Sequence, residues 1–133
     1  MARLERKEHE VKDEVQGPEG DQGPDLASEK GRRAFIRVLN SRLPKKRVIA
    51  QGVLRTEDDE VLLCELVYKK DWDLPGGVVE MNESPREGVT REVEEELSLD
   101  IPAGDLVLTD WLPPWEGWDD AVCLVFDGGT LPH

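Results

Sequence analysis

Three glutamates, Glu92, Glu95 and Glu96, lie at offsets of zero, three and four, directly after Arg91. On a helix those offsets stack the three carboxylates on one face, with Cβ atoms about 5–6 Å apart. Like charges so placed repel by a few tenths of a kcal/mol per pair in water, and by more where the face is partly buried. A divalent cation reverses the sign of that repulsion. Magnesium prefers hard oxygens in octahedral array, a few carboxylates completed by waters and phosphates. Arg91 stands four residues before Glu95, so it can pair with that carboxylate or hold a neighbouring one in place. A glutamate-rich helix face is ordinarily solvated surface, so EVEEE alone does not establish a metal site.

The residues around it carry more. Counting from Gly77, Glu83 follows after five intervening residues, and Arg91-Glu92 after seven more. Apolar Val93, the pair Glu95-Glu96 and apolar Leu99 complete the stretch. This resembles the Nudix box, G-x5-E-x7-R-E-U-x-E-E-x-G-U with U apolar, at every fixed position but one. Ser98 stands where that pattern has glycine, which bears on how the helix ends rather than on the carboxylates. Upstream, Trp72, Leu74, Pro75 and Gly76 also resemble the family's approach to its box.

The resemblance implies an α/β fold, an α/β/α sandwich with a mixed sheet. It also implies hydrolysis of a nucleoside diphosphate linked to another moiety, with Mg²⁺ or Mn²⁺ as cofactor. Carried over by position, Glu92, Glu95, Glu96 and the main chain near Gly77 hold the metal. Arg91 orients the cluster and Glu83 supports it through the loop. Bound metal lowers the pKa of a water and neutralises phosphate charge, and a carboxylate takes that water's proton. Glu92 or Glu95 fits that role, as does an acid outside the box, with Glu116, Asp119 and Asp120 the candidates. Those three read equally as a solvated acidic loop. The substrate stays open among ADP-ribose, sugar nucleotides and nucleoside triphosphates. Pro114, fifteen residues past Leu99, is a weak pointer toward ADP-ribose. Trp111, Trp115 and Trp118 suit stacking on a base or plain packing.

The elements that must position these groups follow from pattern. Ser84, Pro85 and Glu87 spell an N-cap, a first-turn proline and a capping box, so a helix runs from Pro85 to about Leu97. Strands are expected at 47–55, 61–68, just after Gly77, at 105–112 and at 121–126. A tryptophan-rich loop, PPWEGWDD, separates the last two. Upstream, Phe35, Ile36, Leu39 and Leu43 recur at helical spacing among arginines until Pro44. This amphipathic basic helix (31–46) either docks on the domain or offers a patch for phosphates or RNA. Residues 1–30 combine few large apolar groups with dense charge and read as a disordered acidic tail. The Nudix-like region is 47–133, and because it stops soon after a strand the domain is expected to be incomplete at its C-terminus.

Charge is uneven. Residues 1–30, 31–49 and 50–133 carry balances of −4, +7 and −16 within a total of −13. So acidic a body disfavours nonspecific nucleic-acid binding and suits an anionic small-molecule substrate met with divalent cations. The sequence shows neither a signal peptide nor an apolar run near the roughly 18 residues that cross a bilayer. A cytoplasmic protein without membrane contact is expected. Cys64 and Cys123 lie in apolar stretches and read as free buried thiols. A homodimer is left open. Two readings compete with the hydrolase: a catalytically silent Nudix-fold module binding nucleotide or protein, and a regulator whose basic helix binds nucleic acid.

Overall fold

A computed structural model describes Gly23 and residues 25–67 and 71–131, so most of the expected acidic tail lies outside the described residues. The chain divides into two compact units, with the boundary between Lys45 and Lys46. The first contains helix α1, Glu29–Arg42. It starts two residues earlier than the apolar spacing alone indicates. The Ser28 hydroxyl accepts from the Gly31 N–H at 3.0 Å, and Glu29 sits in the first turn, where negative charge complements the helix dipole. Leu43 leaves the helix in extended conformation, as the residue before a proline favours.

The second unit is built on a four-stranded mixed sheet in the order β4-β1-β6-β5. Its strands are β1 (Arg47–Arg55), β4 (Gly76–Val78), β5 (Leu106–Leu112) and β6 (Ala121–Thr130). β1 and β6 run parallel at the centre, while β4 and β5 are antiparallel edges. Strand β1 alternates strictly. Ala50, Gly52 and Leu54 face helix α2 (Pro85–Leu97), and Ala50, Leu54, Val89, Val93 and Phe126 form the buried core there. Ile49 and Gln51 therefore point to the opposite face.

The expected strand over 61–68 is mostly not formed in its described part, 61–67. Val61 makes one bridge to Arg55. Then Cys64–Glu65 (β2) pairs with Trp72–Asp73 (β3) in a separate two-stranded ribbon. The cause is steric. One side of β1 is taken by β6 along its length and the other by β4 opposite Ile49–Gln51, so this segment meets β1 only at its Leu54–Arg55 end, through Val61 and Leu62. β6 continues four residues past the expected strand. β5 matches its expected span but is exposed at every position, Leu106, Leu108 and Trp111 included. The loop between them is more ordered than its composition indicates. Trp115 and Trp118 exchange both backbone hydrogen bonds, at 3.1 and 2.8 Å. Glu116 and Gly117 between them have φ of 45° and 89°. Positive φ at both central residues is the signature of the type I′ turn, whose twist matches the flanking strands.

Helix α2 ends as the serine at the glycine position of the box requires: Ser98 is left-handed, with φ 55° and ψ 34°. A side chain there costs about 1–2 kcal/mol, and glycine would give back part of the gain through a freer unfolded chain. Ser98→Gly is therefore expected to stabilise the protein by about 0.5–1 kcal/mol, read as a raised denaturation midpoint at unchanged slope. A lowered midpoint would show that the serine side chain makes a compensating contact.

Candidate active site

Helix α2 is fixed at its start by the full capping box. Ser84 Oγ accepts from the Glu87 N–H at 3.1 Å, and the Glu87 carboxylate accepts from the Ser84 N–H at 3.0 Å. That sets the rotation of the helix, and Val89 and Val93 buried beneath it leave Arg91, Glu92, Glu95 and Glu96 facing the loop before the helix.

Arg91 organises the cluster. Its Nη2 and Nε donate to the two Glu83 oxygens at 2.8 and 3.1 Å, a bidentate grip. Nη1 reaches Glu92 at 3.1 Å and Glu95 at 3.2 Å, and Nη2 also reaches the Val78 carbonyl at 3.3 Å. The guanidinium beside it holds the Glu83 carboxyl below the usual carboxylate range, with the Glu80 N–H adding to the effect. Glu83 and Arg91 thus tie the loop to the helix.

The three glutamates do not stand alike. Glu92 is 18% exposed and lies against Gly77; a Cβ on Gly77 would come within 2.7 Å of its carboxylate. Glu96 receives the Gly76 N–H at 3.4 Å. Burial pushes its carboxyl above the usual range, the adjoining Glu92 carboxylate adds to that, and the Gly76 N–H opposes it. Glu95, 59% exposed, is held outward by Arg91. Among the described residues no three acidic, histidine or cysteine side chains close into a complete cage. The donor set is a close pair, Glu92 with Glu96, beside the Gly76-Gly77 main chain, with Glu95 at the rim. Two carboxylates sharing a partly dry site call for a proton or a cation between them. A hard ion that keeps several waters and phosphate oxygens as ligands suits so open a set.

The candidates outside the box behave differently. Asp120 is committed, accepting from Lys46 Nζ at 2.5 Å and Trp111 Nε1 at 2.8 Å, and the lysine holds its carboxyl below the usual range. Glu116 forms the corner of the I′ turn. Asp119 contributes its carbonyl, which takes Arg47 Nη2 at 2.9 Å. None of the three is placed among the box carboxylates. Of the tryptophans, Trp115 and Trp118 line a cavity of about 720 Å³, whereas Trp111 and Pro114 do not. The cavity occupies the sheet face opposite α2, walled by Ile49, Gln51, Leu74 and Val78 and bounded by the same Gly76 and Gly77 that touch Glu96 and Glu92. Arg47, Gln51 and Asp73, which also line it, were not singled out from sequence. The alternation of β1 around its apolar face was the signal for Gln51; nothing local marked the other two. Cys123 is buried and gives its thiol to Gln51 at 3.1 Å, and Cys64 is half-buried rather than buried; both are free.

A family model described as NUDIX domain matches residues 45–129. The chain belongs to the Nudix family. Nudix proteins are hydrolases acting on phosphorus-containing anhydrides, generally with a divalent metal. A MutT-like protein of Streptomyces ambofaciens is 38% identical over a match covering 47% of this chain and 41% of that protein. An 8-oxo-dGTP diphosphatase of Proteus vulgaris is 34% identical, covering 43% and 54%. The chain thus spans about half the length of these two relatives. The crystal structure of a MutT protein from Methanosarcina mazei Go1 matches with 33% identity and a TM-score of 0.59, covering 68% of this chain and 69% of that one. Among the described residues no helix is long and apolar enough to cross a membrane.

Gly76, just before the box, and Gly77, its first residue, separate folding from function. A Cβ on Gly76 would lie 2.2 Å from the Ala50 carbonyl, at a φ of 145° that side chains avoid, so Gly76→Ala is expected to cost at least about 3 kcal/mol. On Gly77 the nearest atoms to such a Cβ are those at the far end of the Glu92 side chain. Gly77→Ala is expected to stay within about 1 kcal/mol of wild type while losing about a hundredfold in activity. Denaturation and turnover measured on both variants check this, and equal stability losses would refute the assignment.

Proposed function

We propose that this chain is a Mg²⁺-dependent pyrophosphohydrolase that cleaves a nucleoside diphosphate linked to a further group. The names of its relatives make a purine deoxynucleoside triphosphate the first substrate to test. One observation carries the reading: the Glu92/Glu96 pair and the 720 Å³ cavity meet at the same two glycines, Gly76 and Gly77. A base in the cavity sets its phosphates beside the carboxylates.

Glu92 and Glu96, with the main chain at Gly77, would hold the metal, which when bound supplies a water of lowered pKa and neutralises phosphate charge. Glu95 stands at the solvent rim with only Arg91 on its carboxylate, free to take a proton from an attacking water once the pair is engaged. Arg91 keeps the like charges together, and Glu83 keeps Arg91 in place. The free thiols Cys64 and Cys123 suit work in the reducing cytoplasm.

The test is product release from dGTP, 8-oxo-dGTP, dATP, ADP-ribose and a sugar nucleotide, with Mg²⁺ and with chelator. Wild type is expected to turn over at least one of them only with Mg²⁺. Glu92→Gln and Glu95→Gln are each expected to lose about 10²–10⁴-fold in kcat at near-native stability. Turnover indifferent to metal or to Glu92→Gln would refute the mechanism. Folded protein inert on the whole panel would favour the silent binding module.

A further inference from the structure

The polar groups of the cavity are unequal in what they have left to offer. Gln51 is spent at both ends. Its Oε1 accepts the Cys123 thiol at 3.1 Å, and its Nε2 donates to Asp73 Oδ1 at 2.9 Å and to the Leu74 carbonyl at 3.4 Å. Arg47 is different. It opens β1, lies over the Trp118 ring at 4.8 Å and spends one Nη2 hydrogen on the Asp119 carbonyl. Its Nε is buried without a hydrogen-bond partner, the one such side-chain nitrogen or oxygen among the described residues. A buried donor kept unpaired is costly and calls for a reason. Stacking on Trp118, itself seated in the turn held by Trp115, fixes the plane in which the guanidinium presents its remaining donors.

We propose that Arg47 is a specificity-determining residue that reads the O6/N7 edge of a 6-oxopurine in this cavity. This rests on the base-binding part of the function proposed above. The chemistry of base edges supplies the direction. Arginine carries donors only, so its fork matches an edge with two neighbouring acceptors. Guanine and hypoxanthine present O6 beside N7, the pair arginine reads bidentately. Adenine replaces O6 with an amino group, which would set donor against donor. The side chain suited to adenine is an amide, and the cavity's Gln51 is already committed. Pyrimidines offer no second acceptor beside their carbonyl on that edge. Oxidation of guanine at C8 puts a hydrogen on N7 and leaves O6 alone, so Arg47 contributes less to binding 8-oxoguanine than guanine.

Titration of the metal-free protein with GMP, IMP and AMP, followed by tryptophan fluorescence, tests this without turnover. Wild type is expected to bind GMP and IMP about tenfold or more tightly than AMP. Arg47→Met, checked for fold by circular dichroism, should bring all three within about twofold, and Arg47→Lys should recover little of the preference because it keeps charge without the fork. Equal binding of GMP and AMP by wild type, or a preference untouched in Arg47→Met, overturns the assignment. Guanine preference without Mg²⁺-dependent turnover removes the hydrolase reading and leaves the role of Arg47 standing. Turnover without base preference does the reverse. Failure to bind any of the three removes the role of Arg47 and leaves the hydrolase reading to the turnover test.

Discussion

Everything in the catalytic half of the domain depends on keeping carboxylates close together without letting them push the helix away. Glu80, Glu83, Glu92, Glu95 and Glu96 crowd one loop and one helix face, and a single guanidinium answers four of them. Arg91 is three-quarters shielded from solvent, so these contacts are screened less than a surface ion pair. Its bond to the Val78 carbonyl adds a link to the sheet. One residue thereby joins loop, helix and sheet edge, and Glu96, the one of the five with no ion pair to it, is left facing the like charge of Glu92. That residual repulsion is what a divalent cation would relieve.

The opposite face of the sheet is organised by a second set of charges. Lys46 and Arg47 at the start of β1 hold Asp120 and the Asp119 carbonyl, and Trp111 holds Asp120 from the strand beside it. These bonds anchor the foot of the Trp115–Trp118 hairpin, whose tip is closed by the I′ turn. Of the acidic residues that looked like spare catalytic bases, Asp120 is thus tied into this anchor by its carboxylate and Asp119 by its carbonyl. Trp115 and Trp118 of that hairpin line the cavity. The same strand, β1, sends Ala50 and Leu54 to the core under α2 and Ile49 and Gln51 to the cavity floor, so packing and binding are two faces of one alternation.

Local chemistry made α2 and its glutamates legible in the sequence. The capping box, the first-turn proline and the i, i+3, i+4 spacing are properties of neighbouring residues, and α2 spans the expected residues. The resemblance carried by Gly77, Glu83, Arg91 and Glu92 gave the fold class in the same way. What the sequence did not disclose depends on distant partners. Residues 61–68 have strand composition, yet β4 and β6 leave them only the Leu54–Arg55 end of β1. Asp120 and Asp119 met Lys46 and Arg47 across more than seventy residues, a separation no spacing rule addresses. Ser98 shows the limit from the other side: its departure from glycine was visible, but only the backbone shows that the left-handed conformation is kept despite the side chain.

The parallel pairing of β1 with β6 sets the order in which the domain can assemble. Arg47 lies opposite Ala121 and Gly52 opposite Phe126, so the centre of the sheet joins segments more than seventy residues apart. Such non-local pairing folds slowly, because a long loop must close before the contact rewards it. During synthesis β1, the ribbon and α2 are all made before β6. A thirteen-residue helix is marginal alone, and α2 carries five glutamates with part of its apolar seat, Phe126, still unmade. The helix bearing the box glutamates therefore gains its lasting shape only when β6 arrives. Until then the nascent chain exposes β1 as an unpaired apolar strand, and a chaperone or rapid completion of the chain must shield it.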